Sequence, residues 1–360
     1  MAERTAFDCY CGVGGLSLGA QMAGYRVLGG VDADPVAIKS YEGVFPNALA
    51  LCEDLLKRPA ADVLKDAGIA RGDVDVLLGG PPCQPFSVYN HQRGTADGRS
   101  SLVGRFLDFA GVLKPRWVLM ENVQGLLSVD GGAFLEGIVK SLRARGYKVD
   151  FSVLDASGLG VPQKRHRLVL LGSREKKEPA GVLVALRSRQ RSEATVGDAI
   201  GDLPEETADP SQYAKPPSNS YQRQMRHGTN GTVTAHLCGN LSPINLKRLT
   251  HIPQGGNWRD IPRHLLPAGM KRARLSDHTT RYGRLDPARP AFTILTRCTP
   301  HWSCVVHPAR DRVLTVRETA RLQSIPDHVA FHGSLTDQYR HVGNAVPPLM
   351  AKAILEELPR

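Results

Sequence analysis

The chain has 360 residues, 41% of them hydrophobic, which is enough for one large domain or two ordinary ones, and its net charge of +11 favours a polyanionic partner. Its seven cysteines are odd in number and include no CxxC pair, which argues against a disulfide scaffold and for a reducing compartment. No apolar run approaches the length of a membrane span and no signal-peptide pattern opens the chain, so we expect a soluble protein of the cytoplasm.

The first predicted strand, residues 5–10, leads into a glycine-rich turn, Cys11 to Gly15, and then into a helix at 16–22. A turn of this kind at a helix N-terminus lets backbone N–H groups approach a nucleotide-like ligand closely. The pattern alone does not choose the ligand, because such turns serve NAD, FAD and S-adenosylmethionine alike.

Two carboxylates further along the chain are candidates to bind the ribose and the adenine of such a ligand. Asp32 ends a second strand, 25–31, about twenty residues past the glycines, where a carboxylate can accept hydrogen bonds from ribose hydroxyls. Asp34 is explained equally well as a helix N-cap ahead of Pro35, so the ribose role goes to Asp32. Asp54 follows another short apolar run and is a candidate to meet an adenine amino group, although an ordinary surface carboxylate explains it nearly as well.

A single cysteine, Cys83, stands where a nucleophile is expected. The apolar run 74–78 predicts a buried strand, Gly79-Gly80 ends it, and Pro81-Pro82 stiffens the chain just before the thiol. Ligands of open α/β sheets bind outside the carboxyl ends of the strands, which is where this loop would hold the cysteine. A buried core cysteine is the alternative interpretation. The polar segment 88–101 that follows is expected to be a mobile loop able to close over a substrate.

Glu121 is a second reactive group at the same predicted sheet edge. A helix at 102–113 leads into a strand at 117–120, and the carboxylate follows at the tip of that strand. A helix at 134–145 and a strand at 147–154 continue the alternation. This alternation predicts an α/β domain with a doubly wound sheet.

A basic turn, Gln163 to Arg167, precedes a predicted strand at 168–171. A solvated surface turn is the simplest explanation of its charges. Alternate residues of an extended chain share one face, however, so Gln163, Arg165 and Arg167 are candidates to point at one site.

Positive charge is concentrated in the second half of the chain. Residues 173 to about 222 are charged and rich in proline and serine, which marks a domain boundary. The segment 215–284 carries twelve lysines and arginines against two acids, a balance of +10. Nucleic-acid contact is favoured over a solvated basic face because short polar side chains lie among the cations. The cations singled out are Arg259, Lys271, Arg272 and Arg274.

Four residues of metal-binding types are spaced by threes near the C-terminus. They are Cys298, His301, Cys304 and His307. The spacing is compatible with zinc ligation, but the segments 292–295 and 302–306 are predicted to be strands, in which residues three apart point to opposite faces. No metal site is therefore expected.

Further on, Thr315 and Glu318 fit a capping box that predicts a helix up to Gln323, and a last helix is predicted at 349–358.

Taken in order, these blocks resemble the motif series of the DNA (cytosine-5) methyltransferases across nearly the whole chain. The matching blocks are Phe7 to Gly15, Pro81 to Gln84, Glu121 to Val123, Gln163 to Arg167, Arg317-Glu318, Arg321 to Gln323 and Gly343 to Val346. The resemblance implies the Rossmann-like, doubly wound sheet of the S-adenosylmethionine-dependent methyltransferases, with a smaller target-recognition domain. We expect a cofactor-binding and catalytic domain at 1–178, the target-recognition domain at 179–310, and a C-terminal segment at 311–360 that packs back on the catalytic domain.

The resemblance also implies a chemistry. Cys83 is expected to add as a thiolate to carbon 6 of a cytosine flipped out of the helix, which makes carbon 5 nucleophilic. Glu121 is expected to bind ring nitrogen 3 and the exocyclic amine, and Arg165 the carbonyl oxygen. Gln163 is assigned to the DNA backbone near the flipped base, and Arg167 to the support of the base pocket or to a phosphate.

S-adenosylmethionine is the implied cofactor, with the glycine-rich turn on its methionine side and Asp32 on its ribose. The expected contacts are Tyr10, Gly12, Gly14, Gly15, Leu16, Asp32, Asp54, Leu55, Pro82, Leu102, Asn344 and Val346. Cys9-Tyr10 stands where the family often has Leu-Phe, and Asp32 where it often has Glu. Both replacements keep the chemical type, an aromatic ring in one case and a carboxylate in the other.

The predicted function is transfer of a methyl group to carbon 5 of cytosine in a specific double-stranded DNA sequence. A tRNA cytosine-5 methyltransferase is an alternative, although the Cys-Phe-Thr signature of that branch is absent. A catalytically idle nucleic-acid-binding relative is a second alternative, and an NAD-dependent oxidoreductase would leave the later motifs unexplained. The chain resembles a bacterial modification enzyme, expected to be a cytoplasmic monomer that acts on nucleoid DNA, paired genetically with a restriction endonuclease or acting alone.

Overall fold

The computed structural model describes residues 3–82, 100–189, 193–274, 276 and 280–359, and within them a seven-stranded, mostly parallel sheet. Its strands are β1 (Arg4–Cys9), β2 (Tyr25–Asp32), β3 (Leu49–Cys52), β4 (Val76–Gly79), β5 (Trp117–Val123), β6 (Lys148–Asp155) and β7 (His166–Ser173). They lie in the order β3-β2-β1-β4-β5-β7-β6, and β7 runs antiparallel to both of its neighbours. The short strands β8 (Ser211–Gln212) and β9 (Thr232–Val233) pair separately. The predicted α/β class is confirmed.

Helices connect the strands and continue beyond the sheet. The α-helices in the described ranges are α1 (Gly15–Met22), α2 (Pro35–Val44), α3 (Ala60–Asp66), α4 (Ser100–Leu113), α5 (Ala133–Ala144), α6 (Pro179–Ser188), α7 (Val196–Ile200), α8 (Ser220–Met225), α9 (Pro243–Leu249), α10 (Val316–Leu322), α11 (Leu335–Asn344) and α12 (Pro348–Glu356). 3₁₀ helices lie at Gln124–Gly132, which a kink at residues 129–131 interrupts, and at Ala156–Leu159, Trp258–Asp260 and Ala268–Met270. None of the helices described combines the length and apolar character that a membrane crossing requires.

Local sequence explains where several helices begin. The side chain of Asp34 accepts hydrogen bonds from the N–H groups at the start of α2, and Pro35 takes the first helical position. The N-cap interpretation of Asp34 is therefore confirmed. Thr315 and Glu318 form the predicted capping box at the start of α10.

Contacts divide the chain into two compact units. The sheet unit consists of Met1–Leu159, His166–Arg191 and Ala345–Arg360, and the second unit of Gly160–Arg165 and Ser192–Asn344. The sheet unit has a core that includes Phe7, Phe106 and Leu170, and the second unit has a separate cluster around Trp258 and Tyr282. The unit boundaries differ from those of the predicted domains, most clearly because α10 and α11 belong to the second unit. The domain assignment remains a prediction.

The strand β5 is longer than predicted. It pairs with β7 from Trp117, opposite Ser173, to Val123, opposite Arg167. Because the ladder of hydrogen bonds continues over this length, Glu121 lies within the strand and not beyond its tip.

Two predicted strands are wrong. The segments 292–295 and 302–306 form no strand in the described chain, where only isolated bridges occur nearby. At Ile294 the reason is visible, because its N–H donates to the side-chain oxygen of Gln163 at 2.8 Å and its carbonyl oxygen accepts from Arg165 at 3.1 Å. Side chains thus take the backbone bonds that a neighbouring strand would need.

Helix α1 packs against α12 so closely that Gly19 has no room for a side chain. A Cβ atom at Gly19 would lie 2.4 Å from the Cβ of Ala351 and 2.7 Å from the carbonyl oxygen of Pro348. The two helices can therefore keep this distance only if residue 19 is glycine.

We predict that Gly19→Ala lowers the free energy of unfolding by about 1–3 kcal/mol, because the helices must move apart to admit the methyl group. Gly137→Ala in α5 is the matched control, since a Cβ there meets no atom within 4 Å in the part of the chain that the structure describes. The control should gain about 0.5–1 kcal/mol from the better helix propensity of alanine. Urea unfolding measures both changes, and a Gly19→Ala variant as stable as wild type would contradict the close packing.

Candidate active site

The predicted nucleophile Cys83 lies outside the described residues, but the chain that leads to it is described. β4 ends at Gly79, Pro81 is buried and Pro82 is exposed. The side-chain amide of Asn122, in β5, donates a hydrogen bond to the carbonyl oxygen of Pro81 at 3.1 Å. β5 therefore anchors the backbone two residues before the predicted nucleophile.

The predicted acid, Glu121, lies beside the same stretch of chain. It is buried, and its Oε1 lies 2.9 Å from Nε of Arg167. The two residues are diagonal neighbours across β5 and β7, since Glu121 stands opposite Val169. Its Oε2 lies 3.8 Å from the place that a Cβ on Gly80 would take. The structure thus brings the carboxylate close to the chain before Cys83, with an arginine that holds its orientation.

Arg165 is buried in the second unit, where backbone oxygens hold its guanidinium. Nη1 donates to the carbonyl oxygen of Ile294 and Nη2 to that of Gly343, both at 3.1 Å. These two bonds fix the orientation of the group before any substrate arrives, which is the preorganisation that an oxyanion donor requires. The chain enters the sheet unit directly after Arg165, so Arg167 belongs to that unit.

Gln163 is fully buried, and protein groups engage both ends of its amide. Nε2 donates to the carbonyl oxygen of Leu322 at 3.1 Å and to Oε1 of Gln323 at 2.9 Å, while Oε1 accepts the N–H of Ile294 at 2.8 Å. The side chain therefore ties the segment before Arg165 to the end of α10. Its predicted contact with DNA remains a prediction, and alternation along the sequence could not reveal this bracing role.

Asp32 closes the glycine-rich turn. Its Oδ2 accepts the N–H of Gly12 and its Oδ1 the N–H of Asp34, both at 2.9 Å. Gly12 has a φ of 54°, and a Cβ built there meets no atom of the described residues within 4 Å. The predicted ribose carboxylate is thus held in place by backbone N–H groups, next to a turn with open space at Gly12.

Two of the residues predicted to bind the cofactor touch each other. Tyr10, with a φ of 62°, donates from its hydroxyl to the carbonyl oxygen of Leu102 at 2.7 Å. In the β3–α3 connection, Leu55 is buried and Asp54 is partly exposed. Asp54 accepts the N–H of Leu56 at 3.0 Å, and this bond, together with a neighbouring lysine, lowers the pKa of Asp54.

The start of α1 meets the segment that follows α11. A Cβ at Gly15 would lie 2.2 Å from the carbonyl oxygen of Val346, so a side chain cannot be accommodated there. Gly14, with a φ of 91°, is the N-cap of α1, and Leu16 is buried in its first turn. The structure therefore brings four predicted cofactor contacts together in the sheet unit. Asn344, a fifth, ends α11 and belongs to the second unit.

Sequence reasoning missed a buried acid next to this turn, Asp8. It is fully buried in β1, and its Oδ2 accepts a hydrogen bond from the Ser17 hydroxyl at 2.7 Å. Its Oδ1 is also buried and has no hydrogen-bond partner among the described residues. Burial raises the pKa of Asp8 to about 7. A carboxylate in an otherwise apolar strand directly before a glycine-rich turn is the signal that could have identified it.

Helix α10 carries buried charges that form a scaffold for the second unit. Arg312 binds both carboxylate oxygens of Glu318, at 2.7 and 2.8 Å. Arg321 lies between Asp202, at 3.2 Å, and Asp327, at 2.6 Å. Buried charges are tolerated when they are paired in this way, which explains why this block is rich in charged residues.

The predicted DNA-contacting cations of the second unit are exposed. They are Arg259, Lys271, Arg272 and Arg274. The guanidinium carbon of Arg259 lies 5.8 Å from the ring centre of Trp258. Exposure is what contact with phosphates requires, and these contacts remain predictions.

The residues spaced by threes near the C-terminus, Cys298, His301, Cys304 and His307, do not converge on one point. His307 lies 3.6 Å from Glu318, and burial lowers the pKa of this histidine to about 4. The thiol of Cys298 lies 3.5 Å from the carbonyl oxygen of Leu314, and Cys304 is buried. No group of three or more histidine, cysteine or acidic side chains within the described ranges is arranged to hold a metal ion.

Asp8 is expected to make stability depend on pH. Its pKa is 3.8 when unfolded and about 7 when folded, so its favourable contribution is complete below about pH 4 and is lost as the pH rises through 7. We predict that Asp8→Asn, which stays neutral, gains in Tm relative to wild type as the pH is raised from about 5 to about 8. Asp62→Asn, at an exposed acid of α3, is the control, and its Tm should differ from that of wild type by the same amount at the lower and at the higher pH. A constant difference between Asp8→Asn and wild type would contradict the prediction.

Comparison with known proteins identifies the family of the chain. The family model of the C-5 cytosine-specific DNA methylases matches residues 5–360. The Type II methyltransferase M.AgeI of Thalassovita gelatinovora is 33% identical and covers 98% of both chains, and M.XorII of Xanthomonas oryzae pv. oryzae is 32% identical, over 98% of this chain and 84% of its own. A solved structure of a putative DNA modification methyltransferase encoded within an E. coli prophage superimposes with a TM-score of 0.77 at 25% identity, over 99% of this chain and 98% of that one. The chain therefore belongs to the C-5 cytosine-specific DNA methylases.

Proposed function

We propose that this DNA (cytosine-5) methyltransferase acts on a flipped cytosine in a specific double-stranded sequence through a covalent bond to Cys83. The observation that carries the proposal is the arrangement at the ends of β4 and β5. Asn122 anchors Pro81, and Glu121 stands beside Gly80, so a carboxylate lies next to the chain that leads to the cysteine. A nucleophile and an acid at one sheet edge suit attack on an electron-poor ring.

The chemistry explains why these residue types are required. Carbon 5 of cytosine is a weak nucleophile, and addition of the Cys83 thiolate to carbon 6 makes it an enamine carbon. Negative charge then develops toward ring nitrogen 3 and the carbonyl oxygen. Glu121 hydrogen-bonds or protonates nitrogen 3, and Arg165 donates to the oxygen. After methylation, loss of the carbon 5 proton and elimination of the thiolate restore the ring and free Cys83.

Arg167 positions Glu121 in this scheme. The ion pair at 2.9 Å holds Oε1 of Glu121, while Oε2 lies 3.8 Å from the place that a Cβ on Gly80 would take. In the second unit, the bonds from Arg165 to Ile294 and Gly343 hold the guanidinium in one orientation. Both supports keep the reacting groups in place before substrate arrives, which reduces the reorganisation needed during reaction.

S-adenosylmethionine is the proposed methyl donor, and it supplies an electrophilic methyl group when bound. The residues around the glycine-rich turn fit a ligand with a sugar and an amino-acid part. Asp32 has a carboxylate fixed beside the turn, Gly12 leaves open space, and Asp8 has a buried oxygen without a protein partner in the described chain. Tyr10 and Leu102 are proposed to line the adenine side, together with Asp54 and Leu55.

The proposed setting is that of a bacterial modification enzyme. The names of M.AgeI and M.XorII describe Type II methyltransferases, which supports a double-stranded DNA substrate and a possible genetic pairing with a restriction endonuclease. We propose that the protein acts as a monomer on DNA of the nucleoid. The positive net charge of +11 suits this substrate.

We predict that Cys83→Ser keeps its affinity for S-adenosylmethionine but loses methyl transfer by on the order of a thousandfold or more, because a hydroxyl is a far weaker nucleophile than a thiolate. Calorimetry measures the affinity, and transfer of a labelled methyl group to unmethylated plasmid DNA measures turnover. Cys52→Ser, at an exposed thiol in β3, is the control and should retain activity. Full activity in Cys83→Ser would contradict the covalent mechanism.

We predict that changing Lys271, Arg272 and Arg274 together to alanine weakens DNA binding and reduces the salt slope. The slope of log affinity against log salt should fall by about one for each phosphate contact that is lost. Replacing three exposed cations of the sheet unit is the matched control, since it removes the same charge. The control positions are Lys39, Lys65 and Arg71. An unchanged salt slope in the variant of Lys271, Arg272 and Arg274 would refute the proposed DNA contact of these residues. An equal fall of the slope in that variant and in the control would refute it as well.

A further inference from the structure

Trp302 is an exposed tryptophan in the second unit, with 63% of its surface accessible. The next most exposed large hydrophobic residue in the described ranges is Val184 at 58%, and the other two tryptophans, Trp117 and Trp258, are buried at 3% and 4%. Leaving an indole in water forgoes the favourable burial of a large apolar surface. An exposed aromatic residue of this size is therefore a candidate contact for a partner.

The turn that carries Trp302 is fixed and not merely exposed. The N–H of Tyr282 donates to the carbonyl oxygen of Pro300, and the N–H of Trp302 donates to that of Thr299 at 3.2 Å. A Cβ on Gly283 would lie 2.4 Å from the sulfur of Cys304, so the chain packs tightly against the end of the turn. The indole thus starts from a backbone that is already ordered, which lowers the entropy cost of binding.

A series of ring and cation contacts supports the indole. Tyr282 is buried in the core of the second unit, and the ring of His301 meets it edge-on at 6.0 Å. His301 in turn meets Trp302 edge-on at 5.2 Å, and the guanidinium of Arg281 lies 5.4 Å from the indole centre. Burial, with help from Arg281 and Arg248, lowers the pKa of His301 and so favours its neutral form. Among the described residues, Arg281 is therefore the cation found beside the exposed ring.

The charge of the neighbouring chain indicates the class of partner. Residues 281–306 contain four arginines and one acid, Asp286. Arg284 is buried and ion-paired with Asp311, and Arg289 lies 3.3 Å from Asp286. The two remaining arginines are Arg281, beside the indole, and the exposed Arg297. A protein or membrane partner would favour a broad apolar patch, whereas one aromatic face among cations suits stacking on a base beside a phosphate. The same stretch of chain includes Ile294, whose carbonyl oxygen holds Arg165. The exposed indole is thus eight residues along the chain from a direct support of a proposed catalytic group.

We propose that Trp302 contacts the DNA substrate, its indole stacking on a base at the target site while Arg281 binds a neighbouring phosphate. Trp302 would be a positioning residue that acts on the DNA and takes no part in the covalent step. The inference rests on the proposed action on double-stranded DNA, but it is independent of the role of Cys83. A Cys83→Ser protein can therefore be used to test binding separately from reaction.

Tryptophan fluorescence provides the first test. Because Trp117 and Trp258 are buried, Trp302 should account for most of the emission that acrylamide quenches. Adding fragments of unmethylated plasmid DNA to the Cys83→Ser protein should protect that emission from acrylamide. Trp302→Phe in the same background should abolish the DNA-dependent change.

Methyl transfer provides the second test. Trp302→Ala should raise the KM for DNA about tenfold, the loss expected for one base stack, and leave the KM for S-adenosylmethionine unchanged. Trp302→Phe should retain most of the activity because a ring remains to stack. Phe151→Ala, at an aromatic residue of β6 that is 36% exposed, is the matched control and should keep the wild-type KM.

A wild-type KM for DNA in Trp302→Ala, with no DNA-dependent protection of the emission, would overturn the inference. Protection by tRNA and not by the duplex would also overturn it. If, without DNA, acrylamide quenches the Trp302 emission less as the protein concentration rises, the exposed indole contacts a second copy of the chain and not DNA. If Trp302→Ala does not fold, Trp302→Phe and Arg281→Gln keep the proposal testable, since Arg281→Gln should weaken DNA binding and reduce its salt dependence.

Discussion

The pairing of β5 with β7 is the constraint on which the candidate active site depends. Because this antiparallel ladder runs the full length of β5, Glu121 becomes a diagonal neighbour of Arg167, and Asn122 reaches the carbonyl oxygen of Pro81. One strand end thus orients the acid and anchors the chain before the cysteine. A shorter strand would leave both side chains on a loop, where their positions would be less well defined.

Around the glycine-rich turn, where the cofactor is proposed to bind, close backbone packing fixes the geometry as the β5–β7 pairing does at Glu121. Glycine is required where α1 meets the segment around Val346, and Asp32 holds the turn through the N–H of Gly12. The buried Asp8 works against stability at neutral pH, since burial raises its pKa to about 7. Groups with pKa values shifted by burial in this way cluster at functional sites. Within the described chain, the site therefore combines a rigid frame with a buried acid, Asp8, whose Oδ1 has no protein partner.

Much of the sheet unit, and the start of α10 in the second unit, could be predicted because the signals are local. The alternation of strands and helices, the N-cap at Asp34 and the capping box at Thr315 all depend on residues close in sequence. The roles of Gln163 and Arg167 could not be predicted in this way, because their partners are set by tertiary contacts. The strand predicted at 292–295 failed for the same reason, since distant side chains take its backbone bonds. Motif order predicted the family, while the contacts of individual side chains required the structure.

Methylation of cytosine by this chain is tested most directly by bisulfite sequencing of DNA from a host that expresses the chain and has no cytosine methyltransferase of its own. We predict that cytosines within one short recurring sequence resist conversion, and that they convert fully in the same host without the chain. Such a result would establish the reaction, the substrate and the recognition sequence together. Complete conversion throughout the genome, with the folded protein present in the cells, would contradict the central claim that the chain methylates cytosine in DNA.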